Sequence, residues 1–459
     1  MALAAARREG LAPAAPIPAA LQTFAFWRDP HGYLGLAARR LGSPFTIRPV
    51  GMAPMVFFSD LAEIRAILAA SPAVLHPGEG AAVIAPLVGE RSFMLVEEAA
   101  HMSGRRAVLP AFHAAAIAEH REGIEALVRV ELDRWPSGRI VKLHPLLRAL
   151  TLRVILRTIF GAEDERLAAL HQRLFAMLDL TASLALQEPL LRGMPPWRRL
   201  WQTFLEDRRE VDRLLDELIE QCPRDAASDG LVQLLRTTPM ADGGPRDNRQ
   251  MRSDLMSVIL AGHETTASQL AWAVQLLVHT PAVLGQLTHD IDSGADTLLV
   301  ATIQEAMRHR PVFLFTIPRI VRQPFELGGR IYRPPVQLIG CIHLLHHNRE
   351  LFPDPESFQP ARFIGDSSVP GLLPWGGGHK RCPGHRLATL EMEVVLREVL
   401  RRWIPISASG RIEVARWRSV IVTPGRGCEV FLQRREAARI RLRPRAALSN
   451  EARRSAQPP

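Results

Sequence analysis

Apolar side chains recur at helical spacing through most of this chain. Amphipathic helices place apolar residues every three or four positions. Six stretches do so, at 61–70, 123–135, 151–161, 212–222, 296–310 and 389–403. Strand-like pieces are fewer and shorter, at 44–51, 53–59, 325–332, 336–344 and 428–434. The pattern predicts a mainly α protein, with a long helical middle and small β-sheets built from segments near both ends.

One predicted helix, residues 253–280, is apolar on nearly every side, so we expect it to run buried through the centre of the domain. Its middle reads AGHETT, where Gly262 costs about 1 kcal/mol against Ala. The buried acid Glu264 and the hydroxyl of Thr265 cost more unless they are hydrogen-bonded. Threonine hydroxyls can also bond back to preceding carbonyls and open a helix locally. The segment is either a kink satisfied by neighbours or a groove that presents an acid and a hydroxyl to a ligand.

A cysteine with unusual neighbours lies in the stretch WGGGHKRCPG, residues 375–384. Cys382 precedes a predicted helix, whose N-terminus favours a thiolate, and His379, Lys380 and Arg381 add positive charge. The three glycines before it allow close backbone approach to a flat group. Together these features fit an iron porphyrin with anionic propionates. The alternative is an unreactive buried cysteine in a glycine-rich turn.

Two further segments are informative only together. Glu305 and Arg308 in EAMR are three residues apart and lie on one helix face, which by itself is a common surface ion pair. The proline-rich segment 352–363 needs an anchor, and its Arg362 could dock on Glu305.

These motifs, in this order, resemble the cytochrome P-450 family of haem-thiolate monooxygenases over about residues 20–432. The loop 375–384 resembles the family's haem-binding signature, with Trp375 in place of Phe and Lys380 in place of Arg. Ala361 stands where many members carry Glu. The resemblance implies the P-450 fold: a single large helical domain with small sheets, and haem between the long central helix and the Cys-loop helix.

The resemblance also assigns roles to residues. Cys382 is expected to ligate the iron, Thr265 to hydrogen-bond dioxygen and Glu264 to relay protons. The segment HMSGRR resembles the family's propionate-binding helix. The expected cofactor contacts are His101, Arg105, Arg319, Lys380, Trp375, Gly376 and Gly384. Glu305, Arg308 and Arg362 form the expected structural triad. Ala261, Leu260, Phe313 and Phe315 are the expected substrate-pocket residues, all apolar.

The function implied is insertion of one oxygen atom of O2 into a C–H bond of an apolar small molecule, such as a fatty acid or terpenoid. The cofactor would be haem b, with electrons from NAD(P)H through a ferredoxin- or flavodoxin-type carrier and its reductase. The chain itself shows neither a dinucleotide-binding fingerprint nor iron–sulfur cysteine spacing. Two alternatives stay open: a non-catalytic haem-binding sensor protein and a peroxide-driven peroxygenase.

Charge and cysteine usage narrow the expected partners and cellular compartment. The net charge is +10, and lysine occurs only at Lys142 and Lys380. A basic balance can signal nucleic acid or membranes, but no aromatic residues interleave the basic runs, so we expect no nucleic-acid partner. None of the four cysteines forms a Cys-x-x-Cys pair, which favours neither a zinc site nor a disulfide framework and points to the reducing cytoplasm. No run approaches the roughly 18 apolar residues of a spanning helix.

The expected organisation is a monomer with one domain at 20–433, a flexible N-terminal segment at 1–19 and a flexible Arg/Ala-rich tail at 434–459. Basic residues around Cys382 should form one surface that docks an acidic electron carrier. They are Arg105, Arg106, His379, Lys380, Arg381 and Arg386.

Overall fold

The computed structural model of the chain describes residues 8–161, 164–183, 192–195, 197–222, 230–365 and 369–435. Most of the predicted tail at 434–459, and the first seven residues, lie outside this part of the chain.

Helices account for most of the described residues. The α-helices are α1 Ala19–Arg28, α2 Pro30–Leu41, α3 Leu61–Ala69, α4 Pro77–Gly80, α5 Ala85–Val88, α6 Glu98–Val108, α7 Ala114–Asp133, α8 Leu143–Phe160, α9 Glu165–Asp179, α10 Trp197–Gln221, α11 Leu231–Thr237, α12 Asn248–Val278, α13 Pro281–Ser293, α14 Thr297–His309, α15 Ile342–His346 and α16 His385–Arg402. Short 3-10 helices are Ala82–Ile84, Leu109–Phe112, Leu180–Ala182, Pro360–Phe363 and Gly378–Lys380.

The strands are short and form small sheets. They are β1 Arg8–Glu9, β2 Phe45–Ile47, β3 Met55–Phe58, β4 Leu75–His76, β5 Arg139–Lys142, β6 Arg319–Val321, β7 Phe325–Leu327, β8 Arg330–Tyr332, β9 Gln337–Gly340, β10 Trp403–Ser407, β11 Ala415–Arg418, β12 Ile421–Pro424 and β13 Glu429–Arg434. The largest sheet has the order β2-β3-β9-β6-β4, and the others are β1-β8-β7, β10-β13-β5 and β11-β12.

Local sequence explains where several helices begin. The side chains of Asp60, Asp164 and Asp247 accept hydrogen bonds from the backbone N–H groups of the first turns of α3, α9 and α12. Such caps satisfy amides that have no partner inside the helix. The cap at Asp247 places the start of α12 five residues before the stretch whose apolar pattern predicted it.

The long helix α12 lies in the centre of the fold, as its all-round apolar sequence predicted. It packs most extensively against α8 and also contacts α14, α16 and β12. Gly262 sits at the crossing with α8, where an added Cβ would lie 3.0 Å from Ile155 Cδ1. The glycine therefore allows two helices to approach closely, which offsets its cost in helix propensity.

Two local predictions need correction. The segment 336–344 was predicted as one strand, but β9 ends at Gly340 and α15 begins at Ile342. The segment 8–18 was expected to be flexible, yet β1 pairs in parallel with β8 and Ala12 is buried. Thr46 Oγ1 donates to Ala12 O at 2.7 Å, so this segment is held against the largest sheet.

Among the residues that the structure describes, no single helix combines the length and apolar composition needed to cross a bilayer. In that part of the chain, the bent pair of α12 and α13, with 112° between the two helices, passes such a test jointly.

Candidate active site

A cavity of about 860 Å³, which includes the part open to solvent, lies between α12, α6 and the loop before α16. Its size is within the range of ligand and cofactor sites, roughly 300–1,000 Å³. Its wall combines Ala261 and Thr265 of α12, His101 and Arg105 of α6, and Cys382 of the loop. Residues predicted from motifs more than 250 positions apart therefore face one space.

The cavity opens on a single face of α12. Ala261 is exposed and Gly262 and Thr265 are partly buried, whereas almost all other residues in the middle of this helix are buried. Positions three and four apart share a helix face, so these exposed residues line the cavity together. Thr265 Oγ1 donates to Ala261 O at 2.6 Å, which turns the hydroxyl back along the helix.

The loop that carries Cys382 is packed tightly against α3. Gly378 has a φ of +63°, and an added Cβ would lie 2.0 Å from Leu68 O. Cys382 N donates to Trp375 O at 3.0 Å, which closes the loop just before Gly384, the N-cap residue of α16. Trp375, Cys382 and Gly384 line the cavity, and Gly376 is not among its lining residues.

The protein environment alone does not favour the Cys382 thiolate. Burial raises the pKa of the thiol, although the Gly384 N–H and the charges of Arg105 and Arg381 act in the opposite direction. The sequence-based argument counted the helix N-terminus and the cations but could not weigh desolvation, which dominates here. Coordination to a metal ion deprotonates a thiol outright, so a bound iron would have to supply the missing stabilisation.

Basic side chains gather at the edge of the cavity. Arg105 Nη1 donates to Arg381 O at 2.6 Å, which ties α6 to the Cys382 loop. Lys380 Nζ donates to Met94 O and Val96 O, both at 3.1 Å, and lies 3.1 Å from His101 Nδ1.

These basic groups are held in an environment that disfavours their charge. Burial lowers the pKa of Lys380 to about 8, and it also lowers the pKa of His101.

Arg319 completes this group of cations from β6. Its side chain is buried, and Nη1 has no hydrogen-bond partner within the described chain. Burial lowers its pKa to about 10, with Glu97 as the single opposing negative charge. Buried donors are rarely left without partners in proteins. Glu97 is the one carboxylate that acts on both Arg319 and Lys380. This excess of positive charge, with the unpartnered Nη1 of Arg319 in the described chain, fits the carboxylates of an iron porphyrin whose iron is bound by Cys382.

Glu264 lies away from this cavity. Arg148 Nε donates to Glu264 Oε2 at 2.8 Å, and Arg418 Nε lies 2.8 Å from Oε1. Both arginines also donate to Asp179 Oδ1, at 2.8 and 2.9 Å. The expectation that Glu264 and Thr265 face the same ligand is therefore not what the structure has. The buried acid instead joins a four-charge network of α8, α9, α12 and β11 in which Arg148 is buried and Asp179 is exposed.

Of the four expected substrate-pocket residues, one lines the cavity and the others do not. Ala261 lines the cavity, but Leu260, Phe313 and Phe315 are not among its lining residues. Phe315 instead packs edge-on against Phe57 at a ring distance of 5.6 Å and belongs to an aromatic cluster beneath the N-terminal helices. Apolar character alone could not separate cavity wall from ordinary core.

The EAMR motif on α14 does contact Arg362 of the proline-rich segment. Arg308 donates to both oxygens of Glu305, at 2.7 and 2.8 Å, and Arg362 Nε donates to Glu305 Oε1 at 3.1 Å. Glu305 and Arg308 are fully buried. Arg308 Nη1 also donates to Pro355 O, so the group anchors the proline-rich segment to α14.

Two polar residues are among the cavity-lining residues that the sequence analysis did not predict. Glu391 of α16 and Thr266 of α12 both line the cavity. A charged residue on a helix is usually solvated, so Glu391 carried no signal beyond its position among apolar neighbours in LEMEVV. Thr266 was visible in AGHETT, but the sequence could not show which of the adjacent threonines has a free hydroxyl.

Comparisons with known proteins agree with this geometry. The sequence model of the cytochrome P450 family matches residues 11–406. Cytochrome P450 135B1 of Mycobacterium tuberculosis (strain H37Rv) is 34% identical over 437 residues, covering 92% of this chain and 91% of that protein. Cytochrome P450 138 of Mycobacterium bovis is 32% identical over 433 residues, covering 93% and 97%. The retinoic acid-bound cyanobacterial CYP120A1 has the same fold, with a TM-score of 0.78 at 20% identity, covering 92% and 99%.

The site thus defines a haem-thiolate oxidoreductase. The chain belongs to the cytochrome P450 family, a bacterial-type member whose activity is that of a monooxygenase with haem as cofactor and O2 as co-substrate. Members of this family generally receive electrons from redox partners.

Proposed function

We propose that this P450 hydroxylates an apolar small molecule, such as a fatty acid or a terpenoid, with haem b bound through Cys382. The observation that carries the substrate class is the apolar side of the cavity, which includes Phe93, Ile155, Val258, Ala261 and Ile317. The charged residues of the lining are Arg105, Lys380 and Glu391; Arg319 is not among the lining residues. A neutral or weakly polar substrate body would fill such a wall without leaving polar groups unpaired.

Haem, when bound, supplies the activation of O2 and the transfer of one oxygen atom; cytochromes P450 are the standard example of thiolate ligation that favours O–O cleavage. The protein supplies position and protons. Cys382 binds the iron as a thiolate, while the loop's hydrogen bond from Cys382 N to Trp375 O fixes where the sulfur lies. Arg105, Arg319, Lys380 and His101 neutralise and orient the propionates.

Thr265 serves the distal side of the cavity. Its hydroxyl donates to Ala261 O at 2.6 Å where α12 faces the cavity, so towards the cavity it can accept a hydrogen bond. When the hydroxyl rotates away from Ala261 O, its hydrogen can be donated to dioxygen. Glu264 is the proposed acid on the other face of the helix, where the pairs with Arg148 and Arg418 must open before its carboxylate can exchange protons.

The iron–sulfur bond is tested by spectroscopy. Reduced protein treated with carbon monoxide should show the red-shifted Soret absorption of thiolate-ligated haem, and Cys382→Ser should lose it. Cys222→Ser is the matched control, because Cys222 is half-buried and not part of the cavity lining. A parent protein without this band, or a Cys382→Ser variant that keeps it, would overturn the assignment.

The substrate class is tested by binding spectra. Fatty acids, terpenoids and steroids should be titrated into the oxidised holoprotein, together with retinoic acid because the structural neighbour binds it. We expect fatty acids or terpenoids to displace the iron's water ligand and shift the Soret band. A response to charged, water-soluble compounds alone would contradict an apolar substrate.

Electrons are proposed to reach the haem, in the cytoplasm, from a ferredoxin- or flavodoxin-type carrier reduced by NAD(P)H through a reductase. The proposed docking surface consists of the exposed residues Arg106, His379, Arg381 and Arg386 around the Cys382 loop. Within the described residues, none of its three arginines has an ion-pair partner. Opposite charges steer such encounters and raise association rates at low salt.

Charge reversal tests this surface. Arg106→Glu with Arg386→Glu should slow haem reduction by a carrier at least about tenfold at low salt, and the difference should shrink as salt rises. Arg39→Glu, on the exposed side of α2, is the control. Equal reduction rates for all three proteins would contradict docking at this surface. Turnover with hydrogen peroxide, but none with any reductase chain, would favour a peroxygenase instead.

A further inference from the structure

One face of α12 carries three polar side chains before it reaches the cavity. Gln250, Asp254 and Ser257 follow one another at spacings of four and three residues, which places them on one side of the helix. All three are buried. The same face continues through Ala261 and Thr265, which line the cavity. Because buried polar groups are normally hydrogen-bonded, this part of the helix needs partners from a neighbouring segment.

The partner is the segment 91–94, which lies between α5 and α6. Phe93 N donates to Asp254 Oδ1 at 3.3 Å. Gln250 Nε2 donates to Arg91 O at 2.9 Å and lies 3.2 Å from both carboxylate oxygens of Asp254. Phe93 also lines the cavity. The helix therefore holds the backbone of a segment that forms part of the cavity wall.

A chain of hydrogen bonds ties the same segment to Ser257. The Ser257 hydroxyl donates to Ser253 O at 2.6 Å, so towards Ser92 its oxygen accepts. Ser92 Oγ lies 2.6 Å from Ser257 Oγ and is therefore the donor of that pair. The Ser92 oxygen in turn accepts from Met94 N at 3.0 Å. Each hydroxyl donates once and accepts once, and hydrogen bonds in such a chain strengthen one another.

The other side of the segment contacts α6 and the Cys382 loop. Phe93 O lies 2.7 Å from His101 Nδ1. Met94 O accepts from Lys380 Nζ at 3.1 Å. An added Cβ at Gly104 would lie 2.3 Å from Phe93 Cβ, so α6 packs directly on this segment. The N–H and C=O groups of both Phe93 and Met94 thus have partners within the protein.

We propose that Asp254 and Ser257 are positioning residues that fix the segment 91–94 as a rigid wall of the cavity, and that this wall selects which apolar molecules fit. That the occupant is a substrate rests on the function proposed above. Opening the segment would break the hydrogen bonds to Asp254 and Ser257 together, so ligands enter without opening it. A wall that is ordered before binding adds no ordering cost to association.

The first test measures amide hydrogen exchange in the holoenzyme, in the peptide that contains Phe93 and Met94. Exchange should be at least about tenfold slower in the parent than in Ser257→Ala or Asp254→Leu, since each variant loses a hydrogen bond of the segment. Asp254→Asn should retain the protection, because its amide oxygen can still accept from Phe93 N. Ser253→Ala is the matched control, because the Ser253 hydroxyl donates to Arg249 O, outside the chain of hydrogen bonds.

The same exchange measurement distinguishes a rigid wall from a mobile one. Addition of 1-dodecylimidazole, whose ring can bind the iron, should leave exchange of this peptide unchanged in the parent. Fast exchange in the free holoenzyme that slows when 1-dodecylimidazole binds would overturn the proposal.

The second test compares two ligands of the haem iron by their absorption spectra. Imidazole occupies little more than the iron site, whereas 1-dodecylimidazole adds an apolar chain that must lie against the cavity wall. Ser257→Ala and Asp254→Leu should weaken 1-dodecylimidazole about tenfold, because Phe93 and Met94 must then be ordered on binding. They should leave imidazole affinity within about twofold of the parent, and Ser253→Ala should change neither affinity.

Two outcomes of the binding test would overturn the proposal. Equal weakening of both ligands would show a general disturbance of the haem site, and unchanged affinity for both would show that the wall does not select ligands. Neither ligand is the substrate and no electron carrier is needed. An error in the proposed substrate class would therefore leave the result of this test intact.

Discussion

Among the residues around the cofactor site, Arg319 is the one whose charged side chain is best suited to bind an anion. Lys380 already donates to the carbonyls of Met94 and Val96, so its ammonium is largely satisfied by protein. Arg319 is more deeply buried than Lys380 and keeps Nη1 without a partner in the described chain. With its pKa lowered only to about 10, it remains charged at neutral pH. The arginine of β6 is therefore expected to contribute more to cofactor retention than the lysine of the signature loop.

Arg319→Met should accelerate haem loss. A hydrogen bond to a charged group contributes roughly 1.5–3 kcal/mol, which corresponds to about 10–100-fold in rate. The measurement is transfer of haem to an excess of a scavenging apoprotein, followed by the Soret band. Arg322→Met is the control, because Arg322 pairs with Glu79 at the surface. Equal rates of haem transfer for both variants would show that Arg319 does not hold the propionates.

At the scale of elements, two glycines of the Cys382 loop are needed for different reasons, one for backbone conformation and the other also for close packing. Gly376 and Gly378 have nearly the same backbone angle, with φ of +64° and +63°. An added Cβ at Gly376 meets nothing within 4 Å, whereas at Gly378 it would lie 2.0 Å from Leu68 O. The first glycine is needed only for its backbone conformation. The second is also needed for close packing of the loop on α3.

Gly376→Ala should therefore lower the free energy of unfolding by about 1 kcal/mol, the lower end of the cost of a left-handed non-glycine residue. Gly378→Ala should lower it by several kcal/mol more, because backbone must move. It should also disturb the Soret spectrum, since the loop positions Cys382. Thermal unfolding and carbon monoxide spectra of both variants test this, and equal stability of the two alanine variants would contradict the close contact with Leu68.

Local patterns account for most elements, and long-range contacts account for the exceptions. The apolar sequence of α12 and the glycine-rich loop before α16 could be recognised because their information lies within a few turns of chain. The orientation of Glu264 could not, because it depends on Arg148 and Arg418, which are more than 100 residues away in either direction. Similarly, Phe315 and Ile317 lie two residues apart in one apolar segment. Phe315 packs against Phe57 in the aromatic cluster, whereas Ile317 lines the cavity, and the local sequence does not distinguish them.

The sheet contacts show the same limit. The segment 8–18 reads as an Ala/Pro-rich extension, and its order depends on partners at Thr46 and β8 that no local pattern reveals. In the loop around Cys382, the sign of the thiol's pKa shift was missed for a related reason: desolvation depends on what packs around the sulfur, not on its sequence neighbours.

At the scale of the whole molecule, five imidazoles meet where α2, α14 and α15 pack together. His31 and His343 have ring centroids 4.5 Å apart, and those of His343 and His347 are 4.4 Å apart. Burial is the main cause that lowers the pKa of each: to about 3 for His309 and His346, to about 4 for His347, and well below the ordinary value for His31 and His343. The folded protein therefore keeps this cluster neutral.

Acid should therefore destabilise the molecule in a defined pH window. The unfolded state binds protons at these histidines below pH 6.5, whereas the folded state resists them until about pH 3–4, so the free energy of unfolding falls as pH drops between those values. One pH unit below the unfolded pKa, each imidazole contributes roughly 1 kcal/mol of this loss. Four carboxyls with a raised pKa, those of Glu63, Asp254, Glu391 and Glu393, act in the opposite direction. The buried imidazoles of His144 and His263 also have a lowered pKa and add to the five of the cluster, so the imidazoles outnumber these carboxyls.

Urea unfolding of the holoprotein at pH 7.5, 6.5 and 5.5 measures this slope directly. The free energy of unfolding should decrease by several kcal/mol from pH 7.5 to 5.5. His346→Gln should reduce the slope by about one proton's worth, because the glutamine oxygen can still accept the hydrogen bond that Leu373 N donates to His346 Nε2. His289→Asn, at an exposed position of α13, should leave it unchanged. A parent protein equally stable at pH 7.5 and 5.5 would contradict this prediction, because the folded cluster would then accept protons. Protonation would require water to enter between α2 and α15.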